Sequence, residues 1–311
     1  MNWPLVAAAA TGVQVGAAIV ASRFAVAEVP PLTLAMLRYA VGLACLAPFA
    51  WRELARRHAA PPGPAVTGSR TGDLLAMAAL GIGQFGILIA LLNFGLQHVG
   101  AAPAALIFSL FPLLTLLLSA ALGQERVTLQ LLAGVLLSIA GVAVALAPKL
   151  GAATGGHWWG ELAIAGAALT GAVCSVLYRP YLRRYPTVPV SAFAMLASVL
   201  FLAVLAAGEH WPQRLAGVGA AAWAAVAFIG VSSGVGYFWW LHALKHESPT
   251  RVTVFLALNP VTAALLGWGL LGEPLHPAAL AALAMIAIAL WLATRAPSAA
   301  PAGSNGIEAP R

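Results

Sequence analysis

Apolar residues run in long blocks through almost the whole chain, divided by short polar, proline-rich or glycine-rich breaks. A helix crossing the roughly 30 Å hydrocarbon core at about 1.5 Å per residue needs about 20 such residues. Blocks of that length predict ten membrane-spanning helices, over 4–22, 31–50, 74–96, 101–121, 128–147, 160–181, 188–207, 219–243, 249–271 and 276–294. The pattern defines an all-α polytopic membrane protein. Two stretches interrupt it. Arg52 to Thr71, with Pro61-Pro62-Gly63-Pro64, reads as a polar loop, and 296–311 as a disordered cytoplasmic tail, because neither buries enough apolar surface to order itself. Met1-Asn2-Trp3-Pro4 enters the first block without a basic segment, as a span does and a cleaved signal peptide does not.

The blocks repeat. Val29-Pro30 and Ala35-Met36-Leu37 recur 159 residues later as Val188-Pro189 and Ala194-Met195-Leu196, and Thr11-Gly12 recurs as Thr170-Gly171. Beyond the polar loop the offset is 148, relating Gly86, Leu96, His98, Pro112 and Glu125 to Gly234, Leu244, His246, Pro260 and Glu273. Each half, 4–147 and 160–294, then holds five spans, and an odd number turns the second half over relative to the first. Inverted repeats with a central site between the halves are the architecture of many secondary transporters.

Charge adds direction. Of 311 residues 61% are hydrophobic and 8% charged, where a soluble domain has about 25% charged residues. The net charge of +7 would suggest a nucleic-acid partner in a soluble chain. Here its location gives a topology instead. With the N-terminus inside, twelve of the 16 Lys and Arg fall on the cytoplasmic side, while Arg23, Lys149 and Arg214 fall outside and Arg38 within a span. Both termini are thus expected in the cytoplasm of a cell that carries this protein in its cytoplasmic (inner) membrane, with no nucleic-acid partner. Trp3, Trp51, Trp158, Trp159, Trp211, Trp223 and Trp291 lie near span ends, as an aromatic belt requires. Cys45 and Cys174 sit in apolar runs and form neither a disulfide framework nor a metal-binding spacing.

Several pieces together resemble the drug/metabolite transporter superfamily, in its EamA-type ten-helix branch. They are Gly16 to Arg23, Pro30-Pro31 followed by Arg38, Gly100-Ala101-Ala102 to Ser109-Leu110-Phe111-Pro112, Gln124-Glu125-Arg126, and Leu258-Asn259-Pro260 to Gly272-Glu273. The resemblance covers nearly all of 4–294 and departs at Val15, where members often carry Trp. It implies a cytoplasmic-membrane carrier, commonly an exporter, of amino acids, other small metabolites or amphiphilic drugs.

Polar side chains inside spans are expensive and are functional candidates by default. Gln14, Gln84, Asn93 and Asn259 are such residues, and Gln84 aligns with Ser232 at the 148 offset, which puts polar groups at one depth in both halves. They either line a substrate cavity or cross-link neighbouring helices. Ser232 and Ser233 can satisfy themselves on their own helix. Arg38, about seven residues into its span, either anchors at the outer interface or binds an anionic substrate group or gate. Tyr237 and Trp240 either anchor in lipid or stack on a substrate. Pro112 and Pro260, central in repeat-related spans, each remove a backbone hydrogen bond and are candidate hinges. Glu125 and Glu273 are expected to cap the helices that follow them.

No Asp or Glu lies mid-span, so the usual carboxylate proton relay is absent, and the only histidine near a span interior is His242. No catalytic or metal-binding set is evident, no cofactor is implied, and an enzyme is not expected. The expected partners are a small-molecule substrate and the lipid bilayer, with a homodimer left open. A secondary transporter is the leading reading; a channel or a non-transporting scaffold is the alternative, although no charge ring or filter sequence is present.

Overall fold

The computed structural model describes residues 2–25, 28–59, 70–98, 107–150, 158–271 and 277–295. The tail 296–311, the loop residues 60–69, the first residues of the fourth expected span, 101–106, and Glu273 lie outside the described residues. Among the described residues the protein is helical, without strands.

The helices are α1 (Trp3–Ala25), α2 (Pro31–Ala59), α3 (Arg70–Gly81), α4 (Leu88–His98), α5 (Phe111–Ala121), α6 (Leu129–Leu150) and α7 (Trp158–Arg184). They continue with α8 (Thr187–Ala206), α9 (Trp211–Leu215), α10 (Ala220–His246), α11 (Pro249–Val254), α12 (Leu258–Leu271) and α13 (Pro277–Arg295). Among the described residues six stretches are long and apolar enough to cross a membrane: Trp3–Ser22, Pro31–Arg56, Thr71–Gly95, Trp158–Arg184, Thr187–Glu209 and Ala220–His246. Phe111–Ala121, Leu129–Val144 and Leu280–Arg295 are shorter apolar helices.

Four expectations change. First, Arg52 does not open a loop: α2 continues to Ala59. Arg, Glu, Leu and Ala in that stretch are good helix formers. Second, the third expected span is not one regular helix: α3 joins α4 through a π-helical turn, Ile82–Ile87, closed by the Leu88 N–H donating to the Gly83 carbonyl. Third, Pro112 and Pro260 do not sit in the middle of helices. Each lies in the first turn of a new one, α5 or α12, after a turn at Ser109-Leu110 or a 3₁₀ turn at Phe255–Ala257. A first turn tolerates proline because its N–H groups have no intrahelical partner anyway. Fourth, Glu125 does not cap α6: the Thr128 hydroxyl accepts the Leu131 N–H at 3.2 Å and does so instead.

Packing joins the two halves of the chain rather than closing each on itself. α1 packs on α10 and α12, α2 on α8 and α10, α3 on α8, α4 and α5 on α7, and α6 on α13. Without a hydrophobic drive inside lipid, such contacts rest on small residues and close fit. At the α2–α10 crossing, a Cβ on Gly234 would stand 2.8 Å from the Gly42 carbonyl oxygen, so only glycine allows this approach. Large apolar side chains such as Leu200, Val204, Phe228 and Ile288 face outwards, as lipid contact requires. Trp3, Trp51, Trp158, Trp159, Trp223 and Trp291 are exposed near helix ends.

Candidate functional site

The middle of α10 gathers polar groups from several helices. Gln14 of α1 donates from Nε2 to Ser232 Oγ at 3.2 Å, and its side chain lies against Gly236. Arg38 of α2 donates from Nε to Ser233 Oγ at 2.5 Å, and its guanidinium carbon lies 5.4 Å from the Tyr39 ring centre. Both serines also donate to the Ile229 carbonyl, at 3.1 and 2.5 Å. They therefore satisfy themselves on their own helix, as expected, and still accept a bond from another.

One turn further along α10 the site becomes aromatic. Phe85, in the π-helical turn, lies between Tyr39 and Tyr237, with ring centres 4.7 and 4.3 Å away. Tyr237 donates to the Tyr178 hydroxyl of α7 at 3.1 Å, and Tyr178 donates to the Met77 carbonyl at 3.4 Å. Trp240 meets Phe111 edge-on at 6.5 Å. Tyr39, Phe85, Phe111 and Tyr178 were not singled out from the sequence. Tyr39, Phe85 and Phe111 are well inside their expected spans, away from an interfacial belt, but an aromatic residue in an apolar run does not stand out from its neighbours.

Among the buried polar atoms of the described residues that lack a hydrogen-bond partner are Gln84 Oε1, Trp240 Nε1 and Asn259 Oδ1. Gln84 and Trp240 are 8% and 5% exposed, so water does not reach them freely. A buried unpaired polar group costs about 1–3 kcal/mol, so these positions are candidates for contact with a bound molecule. Gln84 sits inside the π-helical turn, a rare feature that recurs at functional sites. Asn259 opens α12 beside α1: a Cβ on Gly16 would lie 2.7 Å from the Asn259 carbonyl oxygen. Asn93, half-buried on α4, is not drawn into this group by any described contact. Among the described residues no cluster of three or more His, Cys, Asp or Glu side chains could hold a metal.

The two ends of the bundle differ. At one end, Thr250 donates to Glu125, Arg251 pairs with Glu247 at 3.2 Å, and Asn2 donates to Glu247 at 3.0 Å. Asp73 there meets Arg184 at 3.7 Å and accepts from Tyr185 at 2.8 Å. This basic end also holds the unpaired Arg179 Nε and Glu125 Oε1. At the opposite end, carboxylates cap helices of the other half. Glu209 accepts the Leu32 and Thr33 N–H groups at the start of α2, at 3.0 and 2.7 Å, and Glu28 accepts the Gly219 N–H that precedes α10, at 2.6 Å. Negative charge at a helix N-terminus is favoured by its unpaired N–H groups and dipole.

A bundle of apolar helices with broken segments and unpaired polar atoms at its centre has the build of a membrane transporter. The chain belongs to the EamA-like transporter family, which matches it twice, over residues 2–147 and 158–295. It is 25% identical over 286 residues to an uncharacterized transporter of Archaeoglobus fulgidus, covering 90% of this chain and 94% of that one. It is 31% identical over 280 residues to the uncharacterized inner membrane transporter YedA of Escherichia coli K12, covering 88% and 84%. A protein of Streptantibioticus cattleyicolor named "Probable terminal-alkyne amino-acid exporter" is 32% identical over 219 residues, covering 68% and 70%. One crystal structure superposes with a TM-score of 0.77 at 26% identity, covering 94% of this chain and 96% of that one.

Proposed function

We propose that the protein is a secondary carrier that exports small metabolites, amino acids among them, across the inner membrane by alternating access between two inverted five-helix repeats, 4–147 and 160–294. The observation that carries this reading is that the contacts between the halves come in exchange-related pairs. Under the sequence offsets, α1–α10 exchanges with α7–α4, α1–α12 with α7–α5, and α2–α10 with α8–α3, while α2–α8 and α6–α13 map onto themselves. Single residues follow the same rule. Gly134 faces Ala289 where its counterpart Ala282 faces Gly141, and Gly42 faces Gly234 where its counterpart Phe201 faces Gly86. A pseudo-two-fold axis in the membrane plane produces such pairs, and the twofold family match supports it.

In this reading α11, the 3₁₀ turn and α12 form one discontinuous span of a total of ten, and the breaks before Pro112 and Pro260 are the hinges. Gln84, Asn259, Trp240 and Tyr237 line the central site, Gln14 and Arg38 border it from α1 and α2, and Asn93 lies on its approach. The basic end faces the cytoplasm. The relative named "Probable terminal-alkyne amino-acid exporter" supports amino acids as the first substrates to test.

Saturable counterflow of L-amino acids by purified protein in liposomes is the expected result. If neither an amino acid nor a cationic dye is moved, the carrier reading fails. Gln84→Ala and Asn259→Ala are each expected to weaken transport about tenfold, equivalent to roughly 1.4 kcal/mol, with the amount of folded protein unchanged. Unaltered kinetics would remove these residues from the site.

A further inference from the structure

Arg38 is a charge held inside a membrane-spanning helix, where guanidinium groups are costly and pair with other groups. The side chain does not reach for the nearer water. A Cβ on Gly230 would lie 3.2 Å from the Arg38 carbonyl oxygen, which sets Gly230 level with the Arg38 backbone. Ser233, which holds Arg38 Nε, is three residues further from the end where α2 and α10 begin, so the guanidinium is drawn roughly 4–5 Å inwards. This is the reverse of snorkelling.

The bond to Ser233 uses one of five guanidinium N–H groups. The other four have no hydrogen-bond partner among the described residues, and no described carboxylate lies within ion-pair distance. The nearest acids by position, Glu28 and Glu209, are committed to the helix starts at Gly219 and at Leu32 and Thr33. With Nε fixed from one side and Tyr39 against the guanidinium, the free Nη edge is a planar fork suited to two oxygens of one oxyanion.

We infer that Arg38 docks the anionic group, a carboxylate or a phosphate, of the transported molecule, so that the carrier selects metabolites with such a group and rejects those whose only charge is positive. The inference rests on the carrier reading above and narrows its substrates. The same chemistry fits a lipid phosphate, which the experiment separates from a substrate.

The test compares L-amino acids with their methyl esters, which keep the ammonium and lose the carboxylate, in proteoliposomes of neutral lipid and of lipid with anionic headgroups. The wild-type protein is expected to exchange the acids and not the esters in both lipids. Arg38→Gln should reduce exchange of the acids by roughly tenfold or more, Arg38→Lys should restore part of it, and Ser233→Ala should raise KM by less than Arg38→Gln does. Esters moved as well as acids, or acids moved normally by Arg38→Gln, would overturn the inference while leaving the carrier intact. So would a defect of Arg38→Gln confined to one lipid composition, which would assign the guanidinium to a headgroup. If the wild-type protein moves no probe at all, cationic dyes included, the carrier reading fails and takes the inference with it.

Discussion

Glu125 shows what single residues contribute here. Its place before a helix suggests a cap, yet it is 7% exposed and holds Thr250 of the other half. A buried carboxylate that loses a donor bears its full desolvation cost. Thr250→Val is therefore expected to lower stability by about 1–3 kcal/mol, seen as an earlier thermal unfolding in detergent. Adding Glu125→Gln to it should cost clearly less than the two single losses summed, because both changes act on one bond. Strict additivity would show that this bond contributes nothing. Part of the candidate site was legible at this scale: Gln14, Gln84, Arg38 and Asn259 stand out as polar letters in apolar runs. Tyr39, Phe85 and Tyr178 did not, because an aromatic residue in an apolar run has no contrast with its neighbours until a second helix brings another ring against it.

Among the elements, the π-helical turn Ile82–Ile87 is the one that hydropathy cannot announce, since α- and π-helical turns have the same composition. A Cβ on Gly86 would lie 2.5 Å from the Phe201 ring of α8, whereas the exchange-related crossing sets Gly234 against Gly42 with no ring between. A π-helical turn is wider than an α-helical one, and the Phe201 ring lies beside it. Gly86→Ala is expected to reduce the yield of folded protein severalfold, and Gly86→Ala with Phe201→Ala to recover most of it; equal yields for the single and double variants would exclude Phe201 as the cause. The six long apolar helices among the described residues were readable because burial in lipid fixes length through hydrophobicity. The extension of α2 past Arg52 was not, because a helix leaving the membrane and a polar loop carry the same charged residues. The breaks before Pro112 and Pro260 were half legible: proline marks the place, and only packing decides whether the helix bends or restarts.

For the molecule as a whole, the difference between its ends makes orientation testable. Gly217 is exposed, near the carboxylate-capped end, with open space around it. In a chain with Cys45 and Cys174 replaced by Ala, Gly217→Cys is expected to react with an impermeant maleimide added outside intact cells. Labelling only after the cytoplasmic face is opened would reverse the topology. The 159 and 148 offsets relate the two halves in sequence, while the partner each helix takes could be seen only in three dimensions.

The capping at that same end bears on how the chain is made. α2 starts on Glu209, which is synthesised long after it, and α10 starts on Glu28, which is synthesised long before. During synthesis the early helix has only water for its first amides until Glu209 is made, while the late one arrives to find its acceptor already in place. A ribosome that stalls between the halves therefore leaves α2 without the carboxylate that caps it in the finished fold.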